Sequence, residues 1–369
     1  MNKDIQNTRI DALTGLRGIA AFVVFLFHWG YYTKTNYFAW GFVGVSLFFC
    51  LSGFVLMVNY EKKFSSLTLK TYLQFMHARI ARVWPMHLLG FFLSIPLLLS
   101  MNRILTMESA ILNVTLLHSF IQRTTNDFNA DSWSLSNEFF FYLMFPFLCF
   151  LLIKYLRSNF ALITVFMIIS LFLLSTVPLF ALYGKDYLNF LSPGLDETRI
   201  KWFLYFFPIT RITEFILGMI SAKMWMSTSR QESKRYNLVI LVILLISAGL
   251  WLLIRLSPLR GENFTLLFGP FFALLLMIIA KLPEGSSINT FLSSKWMIRF
   301  GEWSFAFYII HELLIKAIIL LKLDKNITGL IAFTLALGGS ALFFAYVETP
   351  MRKLILYPTK TQKSIEQAT

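Results

Sequence analysis

The chain is 369 residues long, 57% hydrophobic and only 14% charged, with forty Phe and a formal net charge of +14. Soluble domains carry roughly 25% charged residues, so this composition excludes a water-soluble globular protein and points to an integral membrane protein. The positive charge follows from topology, because basic loops face an anionic leaflet, and it gives no reason to propose a nucleic-acid partner.

Each helical crossing of a ~30 Å hydrocarbon core needs about 20 apolar residues. Ten windows meet that need: 16–33, 41–58, 84–100, 134–153, 160–183, 202–222, 237–256, 264–280, 301–321 and 328–347. With the N-terminus in the cytoplasm, the inner segments hold 20 of the 33 Lys and Arg, the outer segments hold 9, and four lie inside windows. The positive-inside rule therefore predicts an all-α membrane protein of ten transmembrane helices with both termini cytoplasmic. The apolar stretch after Gly18 precedes nine further windows and no small-residue cleavage site, so it reads as a first span and not as a signal peptide. Cys50 and Cys149 fall inside windows and behave as small apolar side chains; neither a disulfide framework nor zinc-ligand spacing is visible. Residues 1–353 read as one transmembrane domain and 354–369 as a short, disordered cytoplasmic tail. There is no internal repeat of the kind that marks many secondary transporters.

The first window, "LRGIAAFVVFLFHWG", carries Arg17 and His28. Eleven residues at ~100° each bring both side chains to one helix face, roughly 16 Å apart along the axis. Intramembrane ionisable groups usually face a cavity or a partner. The alternative is that Arg17 snorkels to the inner interface and His28 only hydrogen-bonds a neighbouring helix. After the second window, "HARIARVWP" places Arg79 and Arg82 at i, i+3 on a short helix predicted to stop near Pro85. Paired guanidiniums suit polyphosphate recognition, although basic inner loops are also ordinary topology.

The long outer segment contains an apolar part, 110–121, too short to span and therefore re-entrant or interfacial. Before the fourth window comes "DSWSLSNEFFFYLMFP". Here Ser134 or Ser136 is expected to cap the helix, and Glu138 either complements its positive end or places a carboxylate at the level of His28. The sixth window pairs Arg211 with Glu214 at i, i+3, read as an ion pair that fixes helix register. The ninth aligns Ser304, Tyr308 and His311 on one face, with His311 near mid-depth.

"GLRGIAAFVVFLFH", "FFCLSGF", "RIAR", "WSLSNEFFFY", "RITEFILGM", "SFAFYIIH" and "YVETPMRK" occur in that order from Arg9 to about Lys353, and the chain in this respect resembles the acyltransferase type 3 family of bacterial membrane O-acyltransferases. It looks like the single-domain type, without a fused esterase-like domain. "RIDALTGLRG" stands where the family commonly has Asp-Gly-Leu-Arg, which leaves the role of Asp11 open.

The resemblance implies a multi-pass protein of the bacterial cytoplasmic (inner) membrane. It would move an acyl group, commonly acetyl from cytoplasmic acetyl-CoA, to a hydroxyl of a surface or lipid-linked glycan such as lipopolysaccharide O-antigen. Acetyl-CoA would be a substrate, with no permanently bound cofactor and no metal; the partners would be acyl-CoA, the glycan acceptor and membrane lipids. On this reading His28 is the base that deprotonates the acceptor hydroxyl. Glu138 orients it, and Arg17 guides the donor or stabilises oxyanion charge. Arg79 and Arg82 hold the nucleotide, and Gly44, Ser52 and Gly53 let the pantetheine arm pass close to backbone. Tyr308, His311, Trp133 and Ser134 line the acceptor side, or Tyr308 carries the acyl group transiently. A transporter or a glycan flippase without acyl transfer is the alternative.

Overall fold

An uninterrupted run of Leu, Ala, Val and Phe builds α1 (Asp11–Tyr32), and Asp11 in its first turn complements the helix dipole. It ends where the Thr33 hydroxyl donates to Trp29 O at 2.7 Å and Lys34 turns to φ 57°. The computed structural model describes residues 10–35, 38–191, 197–227 and 261–357, together with Ile243, Ile246, Ser247 and Leu250. The described secondary structure is helical: α2 (Gly44–Tyr60), α3 (Leu69–Ser100), α4 (Met107–Val114), α5 (Trp133–Tyr155), α6 (Asn159–Leu191), α7 (Glu197–Lys201), α8 (Pro208–Ser227), α9 (Gly269–Ile279), α10 (Ser287–Leu292), α11 (Lys295–Ile319), α12 (Lys325–Phe343) and α13 (Thr349–Leu356).

Eight stretches of the described residues are long and apolar enough to cross a membrane, which makes the chain an all-α, multi-pass membrane protein. The 25-residue α11 occupies the ninth window and carries Glu302, Glu312 and Lys316 along its length. The window 237–256 lies almost wholly outside the described residues.

α1 lies along α11, α2 lies along α8, and α12 packs on α11 while also meeting α1, where Phe22 and Phe25 contact Phe333. Lipid tails offer no hydrophobic drive for helix association, so close backbone approach at small residues does much of this work. A Cβ on Gly218 of α8 would fall 1.9 Å from Cys50 O of α2, and one on Gly53 would fall 2.0 Å from Phe215 O of α8. Gly53 is therefore consumed by a helix crossing. The expectation that Gly53 and Gly44 flank a substrate arm is corrected, since Gly44 lies against Val24 and Ala20 of α1. Gly218→Ala should destabilise the fold by about 1–3 kcal/mol through overpacking, read as a lower melting temperature of the detergent-solubilised protein; an unchanged melting temperature would contradict this crossing.

α3 also departs from expectation. It opens on a Thr68–Thr71 capping box and runs for 32 residues straight through Pro85 and Pro96. Proline removes one main-chain donor, but neighbouring helices and local adjustment make it tolerable in a membrane helix. The predicted stop at Pro85 does not occur, and Arg79 and Arg82 belong to one helix with the apolar stretch that follows.

The segment between α3 and α5 folds as α4 and a series of 3-10 turns, His118–Phe120, Gln122–Thr124 and Ala130–Ser132. It is held by polar side chains bonded to main chain. Asn113 Nδ2 donates to Asp127 O at 3.1 Å, Trp84 Nε1 to Val114 O at 3.0 Å, and Asn129 Nδ2 to Ile309 O of α11 at 2.8 Å.

Candidate active site

Three chain segments far apart in sequence bring His28 of α1, His311 of α11 and Asp131 together. His28 Nδ1 lies 2.9 Å from His311 Nε2. Asp131 Oδ1 is 3.4 Å from His28 Nε2, and Oδ2 is 3.5 Å from His311 Nε2. The His28 side chain is 15% exposed, whereas those of Asp131 and His311 are 3% and 0% exposed, so His28 is the member that a substrate can reach.

Hydrogen-bond partners assign the tautomers. His311 Nδ1 faces the carbonyls of Tyr308 at 2.8 Å and Phe307 at 3.3 Å. Both are acceptors, so Nδ1 carries the proton and donates, and the neutral ring accepts at Nε2. His28 therefore donates from Nδ1 to His311 and keeps a lone pair on Nε2. Asp131 faces that lone pair from 3.4 Å, beyond ordinary hydrogen-bond length, and becomes an ion-pair partner once Nε2 accepts a proton.

The loop before α5 is what places Asp131. Phe128 adopts φ 57°, a left-handed conformation rare for a bulky residue, and its ring lies 4.4 Å from that of Phe91. Asn129 is tied to α11 as described, and Ser132 Oγ meets His118 Nε2 at 3.1 Å. Burial, reinforced by the nearby His87, pushes the His118 imidazole down to about 3, so this support stays neutral across physiological pH.

A cavity of about 150 Å³ adjoins this cluster. Arg17, Arg79 and Arg82 line one part of it together with Glu138 and Tyr142, while Ser134 and Tyr308 line another. Ser134, Glu138 and Tyr142 follow one another at i, i+4, i+8 on α5, a stripe of roughly 12 Å. Asp131 stands three residues before it. Tyr308 OH lies 3.0 Å from Ser134 Oγ, and both hydroxyls donate to Asp131 O, at 3.3 and 3.1 Å. These two hydroxyls thus stand between the arginine-lined cavity and the two histidines.

Glu138 is corrected on this geometry. It accepts from Ser52 Oγ at 3.1 Å and from the Tyr142 hydroxyl, among the arginines and not beside His28. Because α5 starts at Trp133, Glu138 sits two helical turns along from Asp131, and Asp131 is the carboxylate that meets the histidine. Ser134 and Ser136 do not cap α5; they donate to Asp131 O at 3.1 Å and Leu116 O at 2.6 Å. Ser52 does line the cavity, as does Tyr308. Trp133 is removed from the substrate-lining set: it is 5% exposed and packs on Tyr205 and Phe206 at 4.9 and 5.0 Å. His311 is likewise no lining residue but the fully buried partner of His28.

Arg211 and Glu214 form a fully buried ion pair at 2.8 Å. The guanidinium also donates to Tyr205 O at 2.9 Å and Ser46 Oγ at 3.1 Å, over the ring of Phe49 at 5.0 Å. Besides Asp131, the sequence reading missed the group next to His311. Glu312 accepts from Tyr32 OH at 2.5 Å and pairs with Lys316 at 3.0 Å. The i, i+4 spacing of Glu312 and Lys316 was the available signal.

Comparison with known proteins gives matches along most of the chain. The acyltransferase domain family matches residues 10–347. The chain is 29% identical over 334 residues to the acyltransferase MdmB of Streptomyces mycarofaciens, covering 84% of this chain and 79% of that protein. It is 24% identical over 365 residues to the O-acetyltransferase OatA of Staphylococcus aureus, covering 93% of this chain and 57% of OatA, so it spans little more than half of that relative's length. No solved structure matches.

Proposed function

Since this chain belongs to the acyltransferase domain family and is a multi-pass membrane acyltransferase, we propose that it acetylates a hydroxyl of a cell-surface or lipid-linked glycan, such as lipopolysaccharide O-antigen, using cytoplasmic acetyl-CoA, in the bacterial inner membrane. The transporter and flippase alternative falls with the family assignment. Acetyl is favoured as the transferred group because the relative OatA is named an O-acetyltransferase. The observation that carries the reading is the continuity from three arginines, along one cavity, to the two hydroxyls that bond the main chain of Asp131.

The chemistry follows from the groups present. Arg79 and Arg82 hold the phosphates of the donor where they line the cavity, and Arg79 itself donates to Tyr60 OH at 3.1 Å. The thioester lies along the α5 stripe toward Tyr308. His28 Nε2 takes the proton of the acceptor hydroxyl as its oxygen attacks the thioester carbonyl carbon. The C–S bond then breaks, the acetyl group stays on the sugar oxygen, and the coenzyme leaves as the thiolate, which recovers a proton. Asp131 stabilises the imidazolium formed on the way, and His311 keeps the ring in the tautomer that leaves Nε2 free. Arg17, in the same cavity, supplies positive charge for the donor or for the developing oxyanion.

Mass spectrometry of surface glycans from cells with and without the gene tests the assignment. Acetyl esters that disappear with the gene support it, and an unchanged glycan contradicts it. Arg79→Ala with Arg82→Ala should weaken acetyl-CoA binding strongly, since a hydrogen bond to a charged group contributes roughly 1.5–3 kcal/mol. Calorimetric titration of the folded double variant with unaltered affinity would make the arginine pair purely topological.

A further inference from the structure

We propose that His28, His311 and Asp131 form a binding site for a divalent transition cation of the zinc class, which competes with the proton for His28 and reversibly switches acyl transfer off. The switching part rests on the reading of His28 as the base; the binding part does not.

The donor set and its spacing suit such an ion. Each of the three residues offers one ligand atom, all within 4.8 Å of one another. A tetrahedral zinc with bonds of roughly 2.0–2.1 Å requires donor–donor edges of about 3.3–3.4 Å. His28 Nε2 stands 3.4 Å from Asp131 Oδ1 and His311 Nε2 stands 3.5 Å from Asp131 Oδ2, so each histidine is at edge distance from one carboxylate oxygen and a small turn of the carboxylate presents one oxygen to both. The 2.9 Å contact to His311 Nε2 is made by the other ring nitrogen, His28 Nδ1, so an ion held on His28 Nε2 takes the place of that hydrogen bond and draws His311 Nε2 to itself. His28, the most exposed of the three, is the member that adjusts.

Two independent features point to a cationic ligand. Asp131 Oδ2 is buried and has no hydrogen-bond partner, and among the described residues the salt-bridge partners of this carboxylate are the two histidines alone. Lys316, on the same helix as His311, pairs with Glu312 at 3.0 Å. A buried carboxylate without a fixed countercharge is costly, so the site favours any small cation that the histidines can share. In addition, His311 Nδ1 donates to main-chain carbonyls, the outer hydrogen bond that typically orients a metal-bound imidazole. Three protein donors leave a fourth position open, and imidazole with carboxylate favours zinc-like ions over magnesium or calcium. The sequence could not reveal the site because its ligands stand at positions 28, 131 and 311, with none of the short spacings that mark zinc motifs.

The test uses the full chain in lipid nanodiscs, with zinc chloride as the probe. Titration calorimetry should give one high-affinity site per chain in the wild type. Asp131→Asn and His311→Gln should each weaken it at least tenfold, while His77→Ala leaves it unchanged. Cobalt(II) on the wild type should develop the intense visible bands of a four-coordinate ion, lost in Asp131→Asn, a readout that does not depend on catalysis. Zinc should also inhibit acyl transfer, with recovery on adding a chelator. Wild-type protein without a site, octahedral cobalt spectra, or affinity kept in both Asp131→Asn and His311→Gln would overturn the binding proposal. Zinc that binds through these three residues without inhibiting would overturn the switch. Failure of the function reading is separate: a His28→Gln protein that still transfers acetyl groups refutes the base assignment, whatever the titration shows.

Discussion

His28→Ala should lower glycan acetylation by about 10²–10⁴, the usual worth of a positioned general base, while acetyl-CoA still binds. The expectation rests on separation in space. His28 bonds His311 and faces Asp131, whereas Arg17, Arg79 and Arg82, proposed above to serve the donor, line a cavity that meets this cluster through Ser134 and Tyr308 among the described residues. Removing the imidazole therefore takes away the proton acceptor and leaves the arginines in place. His77→Ala is the control, since His77 is exposed on α3. A correctly inserted His28→Ala protein with near wild-type turnover would reduce the histidine to a packing residue.

Asp131 and Glu138 give the second large contrast. Asp131→Asn removes the negative charge opposite His28 Nε2 but keeps the side-chain shape. If the charge stabilises the imidazolium as a charged hydrogen bond does, by roughly 1.5–3 kcal/mol, turnover should fall about ten- to hundredfold with donor affinity unchanged. Glu138→Gln should act differently, because Glu138 sits among Arg17, Arg79 and Arg82 in the cavity and accepts from Ser52 and Tyr142. Its effect belongs in the KM for acetyl-CoA. Turnover lost in Glu138→Gln and kept in Asp131→Asn would reinstate Glu138 as the partner of the base.

That contrast also marks how far the sequence could be read. Arg17 and His28 announce themselves by an eleven-residue spacing within one helix, and the stripe of Ser304, Tyr308 and His311 does the same on another. Periodicity within a helix is local, so both were legible. Asp131 was not. It stands in a 3-10 turn ahead of α5, and its partners are separated from it by roughly a hundred residues or more on either side. Only the tertiary fold, through Asn129 on Ile309 and Phe128 on Phe91, brings it to the histidines. Glu138 was preferred for its position near the start of an apolar window, but two turns of helix move it from the histidine to the arginines.

The same limit explains the other corrections. Gly53 and Trp133 occupy motif positions, yet one is spent on the crossing of α2 with α8 and the other on walling in Arg211. A small or aromatic residue in a membrane helix can serve a neighbouring helix or a substrate, and composition alone does not separate the two. Arg211 and Glu214 were readable as a pair because i, i+3 contact lies within one helix. Pro85 misled for the opposite reason: its local effect is to interrupt a helix, while the packing around α3 carries that helix through.

In the proposed reaction, acetyl groups pass from a donor at the arginine-lined part of the cavity to a hydroxyl beside His28. The most direct measurement supplies radiolabelled acetyl-CoA to the cytoplasmic face of inside-out membrane vesicles and follows label into glycan, with wild-type and His28→Ala protein compared at equal membrane abundance. The account predicts label in the glycan for the wild type and its loss in His28→Ala, with the donor bound equally by both. Glycan labelling that is the same in the two proteins, or absent from the wild type while its glycan gains acetyl esters from another donor, would contradict it.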